Sequence, residues 1–115
     1  MSPARGRPPA DNPELRRLRD EIDGLDRRIV RLLNERAELA VAIGREKASL
    51  GRRAIRDAQR EREVLLRVSI SNEGPLPQAD LLALYRKLIA SARALEARER
   101  AREREGEGPG EPPSA

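Results

Sequence analysis

From Glu14 to about Leu50 the apolar residues of this chain recur at one spacing, and that recurrence limits the possible folds more than any other feature. Leu15, Leu18, Ile22, Leu25, Ile29, Leu32, Leu39 and Ile43 follow in steps of three and four, with one gap at position 36. This is the period of a helix buried along one stripe. The gap is filled by Arg36, and the member after Ile43 is Lys47. Leu33 and Ala40 lie beside the seam and widen it, which puts both cations on a packing face. A lone cation taken out of water is costly unless an anion answers it. Acidic partners are therefore expected opposite Arg36 and Lys47.

Asn12-Pro13-Glu14 makes a good helix start, with an Asn cap, Pro at the first helical position and an acid near the positive end of the dipole. Gly51 is placed to stop the helix. At 1.5 Å per residue such a helix is roughly 50 Å long, against a radius of gyration near ~13 Å for a compact domain of about 100 residues. It would protrude from a monomer, and its seam needs cover along its whole length. A second copy of the chain is the simplest cover, so a homodimer of long helices packed together is expected.

The rest of the chain is helical as well. Tyr85 is the only aromatic residue, and no stretch shows strand-like alternation. The core must be made of Leu, Ile, Val and Ala, which suits helix-on-helix packing, and the expected fold is all-α with three helices. Asp57 caps a second helix reaching about Ile70, with Ala58, Glu61, Leu65 and Val68 on its inner stripe. Asn72 to Pro77 breaks the chain. A third helix runs from about Gln78 to about Arg104, with Leu81, Tyr85, Leu88, Ala92 and Leu95 as its seam and Ile89 and Glu96 flanking it. A helical domain over 12–104 is thus expected between a disordered Pro/Gly/Arg leader at 1–11 and a disordered Gly/Pro/Glu tail at 105–115.

Charged residues make up 38% of the 115, with a formal net charge of +4. The mixture of signs fits Glu/Arg pairs on exposed helix faces better than a one-sign stripe for nucleic acid. With no cysteine there is no disulfide or thiolate zinc site, and with no histidine a catalytic transition metal is not expected. Arg5 and Arg7 have no apolar run behind them, so no secretory signal is read, and no segment is apolar enough to span a membrane. A soluble cytoplasmic protein is the expectation.

Each helix thus carries charge on its inward side: Arg36 and Lys47, then Glu61, then Glu96. Together they suit a small dianion whose hydroxyl is read by a carboxyl group; the plainer alternative is that they pair among themselves. Leu18-Arg19-Asp20-Glu21-Ile22-Asp23, Leu32-Leu33-Asn34-Glu35-Arg36-Ala37-Glu38-Leu39-Ala40 and Ile43-Gly44-Arg45-Glu46-Lys47 resemble the first helix of the all-helical chorismate mutases. Ile55-Arg56-Asp57-Ala58-Gln59-Arg60-Glu61-Arg62-Glu63 resembles the loop and second helix of that family. Leu84-Tyr85-Arg86-Lys87-Leu88-Ile89, with Leu95-Glu96, resembles the third. The likeness covers about residues 12 to 100, and its specificity lies in the ordered set.

The resemblance implies an intertwined dimer of three-helix chains that rearranges chorismate to prephenate, on the route to phenylalanine and tyrosine. This unimolecular pericyclic shift needs no nucleophile, metal or cofactor. It implies that Arg36 grips a substrate carboxylate with its planar fork, and that Arg19 does the same from the other subunit. Lys47 would donate to the breaking ether oxygen and a carboxylate, Glu61 would accept from the ring hydroxyl, Asp57 would supply polar contact at the mouth, and Arg60 would sit on the rim. Two positions depart from the usual pattern: Glu96 stands where Gln is frequent, and Ala92 where Ser is. Ala92 removes one possible hydroxyl contact. Glu96 must be protonated to donate to the ether oxygen, since its ionised form would repel the charge developing there. Two rivals are an isochorismate-pyruvate lyase of the same fold and a helical interaction module without chemistry. A regulatory partner, such as the first enzyme of the shikimate pathway, is also compatible with so short a mutase.

Overall fold

The computed structural model of the chain describes residues 12–50 and 57–106. They form three helices, α1 (Pro13–Ser49), α2 (Ala58–Ser71) and α3 (Gln78–Gly106), with no strand among the described residues. The expected leader, the stop at Gly51 and the residues from 107 onward lie outside the described residues. Within them, α3 continues through Gly106, so Glu105 and Gly106 are helical where a disordered tail was expected.

The helix starts follow from local chemistry. Asn12 Oδ1 accepts from the amides of Glu14 at 2.8 Å and Leu15 at 3.3 Å, satisfying two donors that the first turn leaves unpaired. Asp57 does the same for α2, accepting from Arg60 N at 2.9 Å. Between α2 and α3, Asn72 organises the turn. Its Nδ2 donates to Leu76 O at 3.1 Å and to Gln78 Oε1 at 2.8 Å, and its Oδ1 accepts from Gly74 N at 3.0 Å. Gly74 has φ of +78°, a conformation that glycine adopts without steric cost.

The described residues divide into two units, one ending at Arg36 and the other beginning at Ala37. The first holds the N-terminal part of α1. Its seam residues Leu18, Ile22, Leu25, Ile29 and Leu32 are exposed, Ile22 by 55%. Burying such a side chain is worth about 1.5–3 kcal/mol, so a row of them is a strong demand for cover.

The second unit contains the rest of α1 with α2 and α3. Here the buried residues are Ala40 and Gly44 on α1, and Ile89 and Glu99 on α3. Leu39 and Ile43, expected to carry the seam, are exposed, Leu39 by 66%. The contact between α1 and α3 explains the difference. A Cβ on Gly44 would lie 2.8 Å from Glu96 Cα and 2.9 Å from Glu96 O, so the two backbones meet where no side chain fits. Small residues allow that approach; leucine and isoleucine would prevent it.

Gly44→Ala must therefore push α3 away from α1, because the atoms in its path are backbone. The expected loss is about 1–3 kcal/mol, the usual cost of overpacking a tight contact. Urea unfolding of both proteins measures it, and a midpoint equal to or above that of the wild type would show that the contact is not close-packed.

Candidate active site

The close approach at Gly44 brings two ion pairs together on α1 and α3. Lys47, in the last turn of α1, donates from Nζ to Glu96 Oε1 at 2.8 Å. Both side chains are largely withdrawn from solvent, at 31% and 15% exposed. Glu96 is thus the acid that a cation on this stripe requires.

Two residues earlier on α1, Arg45 donates from Nε to Glu99 Oε1 at 2.9 Å, and Arg102 donates from Nη1 to Glu99 Oε2 at 3.1 Å. Glu99 is buried, and its Cβ lies 3.1 Å from where a Cβ on Gly44 would be. The hydrogen bond from Arg45 holds the Glu99 carboxyl below the ordinary carboxylate range, against the opposing pull of burial and with further help from Arg102. Across the same contact, then, one pair is a lysine ammonium with a carboxylate, and the other is a carboxylate held by two guanidiniums.

Glu61, in the first turn of α2, meets α3 at a third pair. Its Oε1 lies 2.5 Å from Arg93 Nη1 in an ion pair, with Glu61 the more buried partner. The pair lies in a groove of about 350 Å³ between α2 and α3, with Leu65, Arg86 and Ile89 also lining it. A carboxylate, guanidiniums and an apolar wall in one groove suit a small molecule bearing both polar and hydrocarbon surface.

Among the other residues singled out from sequence, Asp57 caps α2 and is exposed. Arg60 is exposed, with its guanidinium 3.9 Å from Glu63. Ala92 is half-buried on α3, four residues before Glu96. Arg36 is half-buried and closes the first unit; Arg19 lies in the same unit and is exposed. The structure thus brings together Lys47 with Glu96, and it pairs Glu61 with a residue not anticipated.

Arg45, Glu99 and Arg93 were not anticipated from sequence. Glu99 had a signal, since the α3 seam of Leu88, Ala92 and Leu95 reaches Glu99 at its next step. Arg93, four residues after Ile89, had only that spacing to mark it. No described helix is long and apolar enough to cross a membrane.

An all-α domain with paired cations and carboxylates on its inward helix faces is the class that these elements define. The sequence pattern of chorismate mutase type II matches residues 18–97, and the chain belongs to that family. The bifunctional chorismate mutase/prephenate dehydratase of Aquifex aeolicus is 43% identical over 89 residues, covering 72% of this chain and 24% of that protein. The protein of the same description from Neisseria gonorrhoeae is 42% identical over 78 residues, covering 68% and 21%. The chain therefore spans about a quarter or less of the length of these relatives. The structure of chorismate mutase (form II) from Thermus thermophilus superposes with a TM-score of 0.70 at 35% identity, covering 75% of this chain and 97% of that one.

Because the folded Glu99 carboxyl titrates below its ordinary value of 4.5, its stabilising contribution is complete above that value and fades as pH falls through the lower, folded one. Thermal melts between about pH 6 and pH 3 should show the wild type losing stability on acidification, and Glu99→Gln losing less of it. Parallel curves for the two proteins would mean that the Arg45–Glu99 contact is not formed in solution.

Proposed function

We propose that this domain catalyses the rearrangement of chorismate to prephenate and does so as a homodimer. The observation that carries the reading is the Lys47–Glu96 pair, 2.8 Å apart on facing helices of a chain in this family. The reaction is unimolecular: an ether C–O bond breaks while a C–C bond forms, with negative charge growing on the departing oxygen. Such a reaction is accelerated by holding the compact chair-like conformer and by donors aimed at that oxygen.

Lys47 supplies the donor. An ammonium has three N–H bonds, so it donates to the ether oxygen and to a substrate carboxylate while Glu96 remains nearby. Arg36 grips one carboxylate in a forked pair, and Arg19 enters from the second copy of the chain. Glu61 accepts from the ring hydroxyl, Asp57 gives polar contact at the mouth, and Arg60 stays on the rim. Glu96 keeps the Lys47 ammonium in place beside the ether oxygen. Ala92 leaves that part of the site without a hydroxyl.

Support for the dimer comes from the exposed row of leucines and isoleucines in the first unit, which an identical helix would cover. The likeness to two bifunctional chorismate mutase/prephenate dehydratases favours the mutase over the lyase of similar fold.

Purified protein is expected to consume chorismate and yield prephenate, with Arg36→Ala and Lys47→Ala each slowing turnover by at least about 10²-fold, the usual cost of losing one donor to a developing anion. Helical content and oligomeric state should be unchanged in both variants. A well-folded wild type that turns over isochorismate but not chorismate would instead establish the lyase. A second expectation concerns Glu96. Glu96→Gln should keep turnover, because an amide oxygen still accepts from Lys47 while its N–H donates to the ether oxygen, and Glu96→Leu should lose it. Equal turnover in Glu96→Leu and the wild type would remove Glu96 from the site.

A further inference from the structure

We propose that Arg93 is a positioning residue for Glu61, and that the pair sets how strongly this site selects for the ring hydroxyl of its substrate. The proposal rests on the chorismate reading given above and extends it to a residue of α3 to which that reading gives no role.

Glu61 and Arg93 come from different helices, so their contact is a tertiary one and not a neighbour pair on a single helix face. Arg93 Nη1 lies 2.5 Å from Glu61 Oε1, and only 18% of the glutamate side chain remains exposed. The terminal torsion of a glutamate is broad and roughly two-fold, so nothing within the residue fixes the plane of its carboxylate. A guanidinium charge 2.5 Å from one oxygen draws the carboxylate toward α3 and opposes its rotation. An ionised carboxylate offers about four lone-pair sites. The ion pair with Arg93 therefore places the group while lone pairs beyond that contact can accept from a hydroxyl.

The surroundings favour this role over simple charge balance. Arg86 lines the same groove and Arg62 adjoins it, so the groove is cationic with or without Arg93. What Arg93 contributes beyond charge is a close ion pair with the acid itself. A hydroxyl acceptor gives selectivity only if it is held in place, because a site that can relax around a missing hydroxyl loses little when that group is absent.

The test compares kcat/KM for chorismate with that for an analogue whose ring hydroxyl is replaced by hydrogen. Wild type, Glu61→Gln, Arg93→Met, their double variant and Arg93→Lys are measured. Arg93→Met is expected to lower kcat/KM for chorismate about tenfold, as for one weakened hydrogen bond to a charged group, and to leave the analogue unaffected. The double variant should be no worse than Glu61→Gln, and Arg93→Lys should recover part of the loss. Equal losses on both substrates, or losses that multiply in the double variant, would overturn the proposal, since Arg93 would then act on the fold or on another part of the substrate. Chorismate turnover that responds to Glu61→Gln but not to Arg93→Met would overturn this proposal alone. No turnover by the folded wild-type protein would overturn the chorismate reading as well. Circular dichroism and sedimentation of each variant confirm that the comparison is among folded proteins.

Discussion

A lysine ammonium 2.8 Å from a glutamate carboxylate, both drawn partly out of water, is the contact on which the candidate site depends. Such a pair adds little net stability, because the cost of desolvation offsets much of the attraction. An apolar contact would hold α1 to α3 equally well. What the pair does supply is a cation with unused donors at a fixed place. Its place is fixed from behind. Gly44 lets the two backbones meet, and Arg45 with Glu99 adds a second bond across the same contact. The register of α3 against α1 is therefore set by a glycine on α1, close to Lys47 in sequence, and a buried acid on α3, close to Glu96.

The proposed chemistry suits this construction. A pericyclic rearrangement asks for no nucleophile, only for a shaped site and for donors whose positions do not relax when charge moves. Helices serve that purpose better than loops, because each functional side chain is held by several turns of backbone on either side. The three inward pairs, Lys47–Glu96, Arg45–Glu99 and Arg93–Glu61, distribute the work. In the proposed reading the first presents a donor, the second secures the helices that carry it, and the third orients an acceptor.

Much of this was legible in the sequence, and the exceptions have physical causes. The starts of α1 and α2 could be read because capping is local: Asn12-Pro13 and Asp57 act within one turn. A cation on an apolar stripe demands an anion, which predicted an acidic partner for Lys47. The identity of that partner depends on the rotation of α3, which no local pattern fixes. Arg93 was missed for the same reason. Glu99 was within reach, one step along a seam that had been followed only to Leu95 and Glu96. Leu39 and Ile43 mark a second limit: periodicity reveals that a stripe is apolar, but not which surface covers it. Within the second unit, the face that packs is the small-residue line of Ala40 and Gly44.

Calorimetric titration with a stable bicyclic ether dicarboxylate, shaped like the transition state of the rearrangement, tests the central claim most directly. The account predicts one ligand bound per chain and loss of measurable binding in Lys47→Met, with the helical fold retained. Binding undiminished in that variant, or none by the wild type, would contradict it.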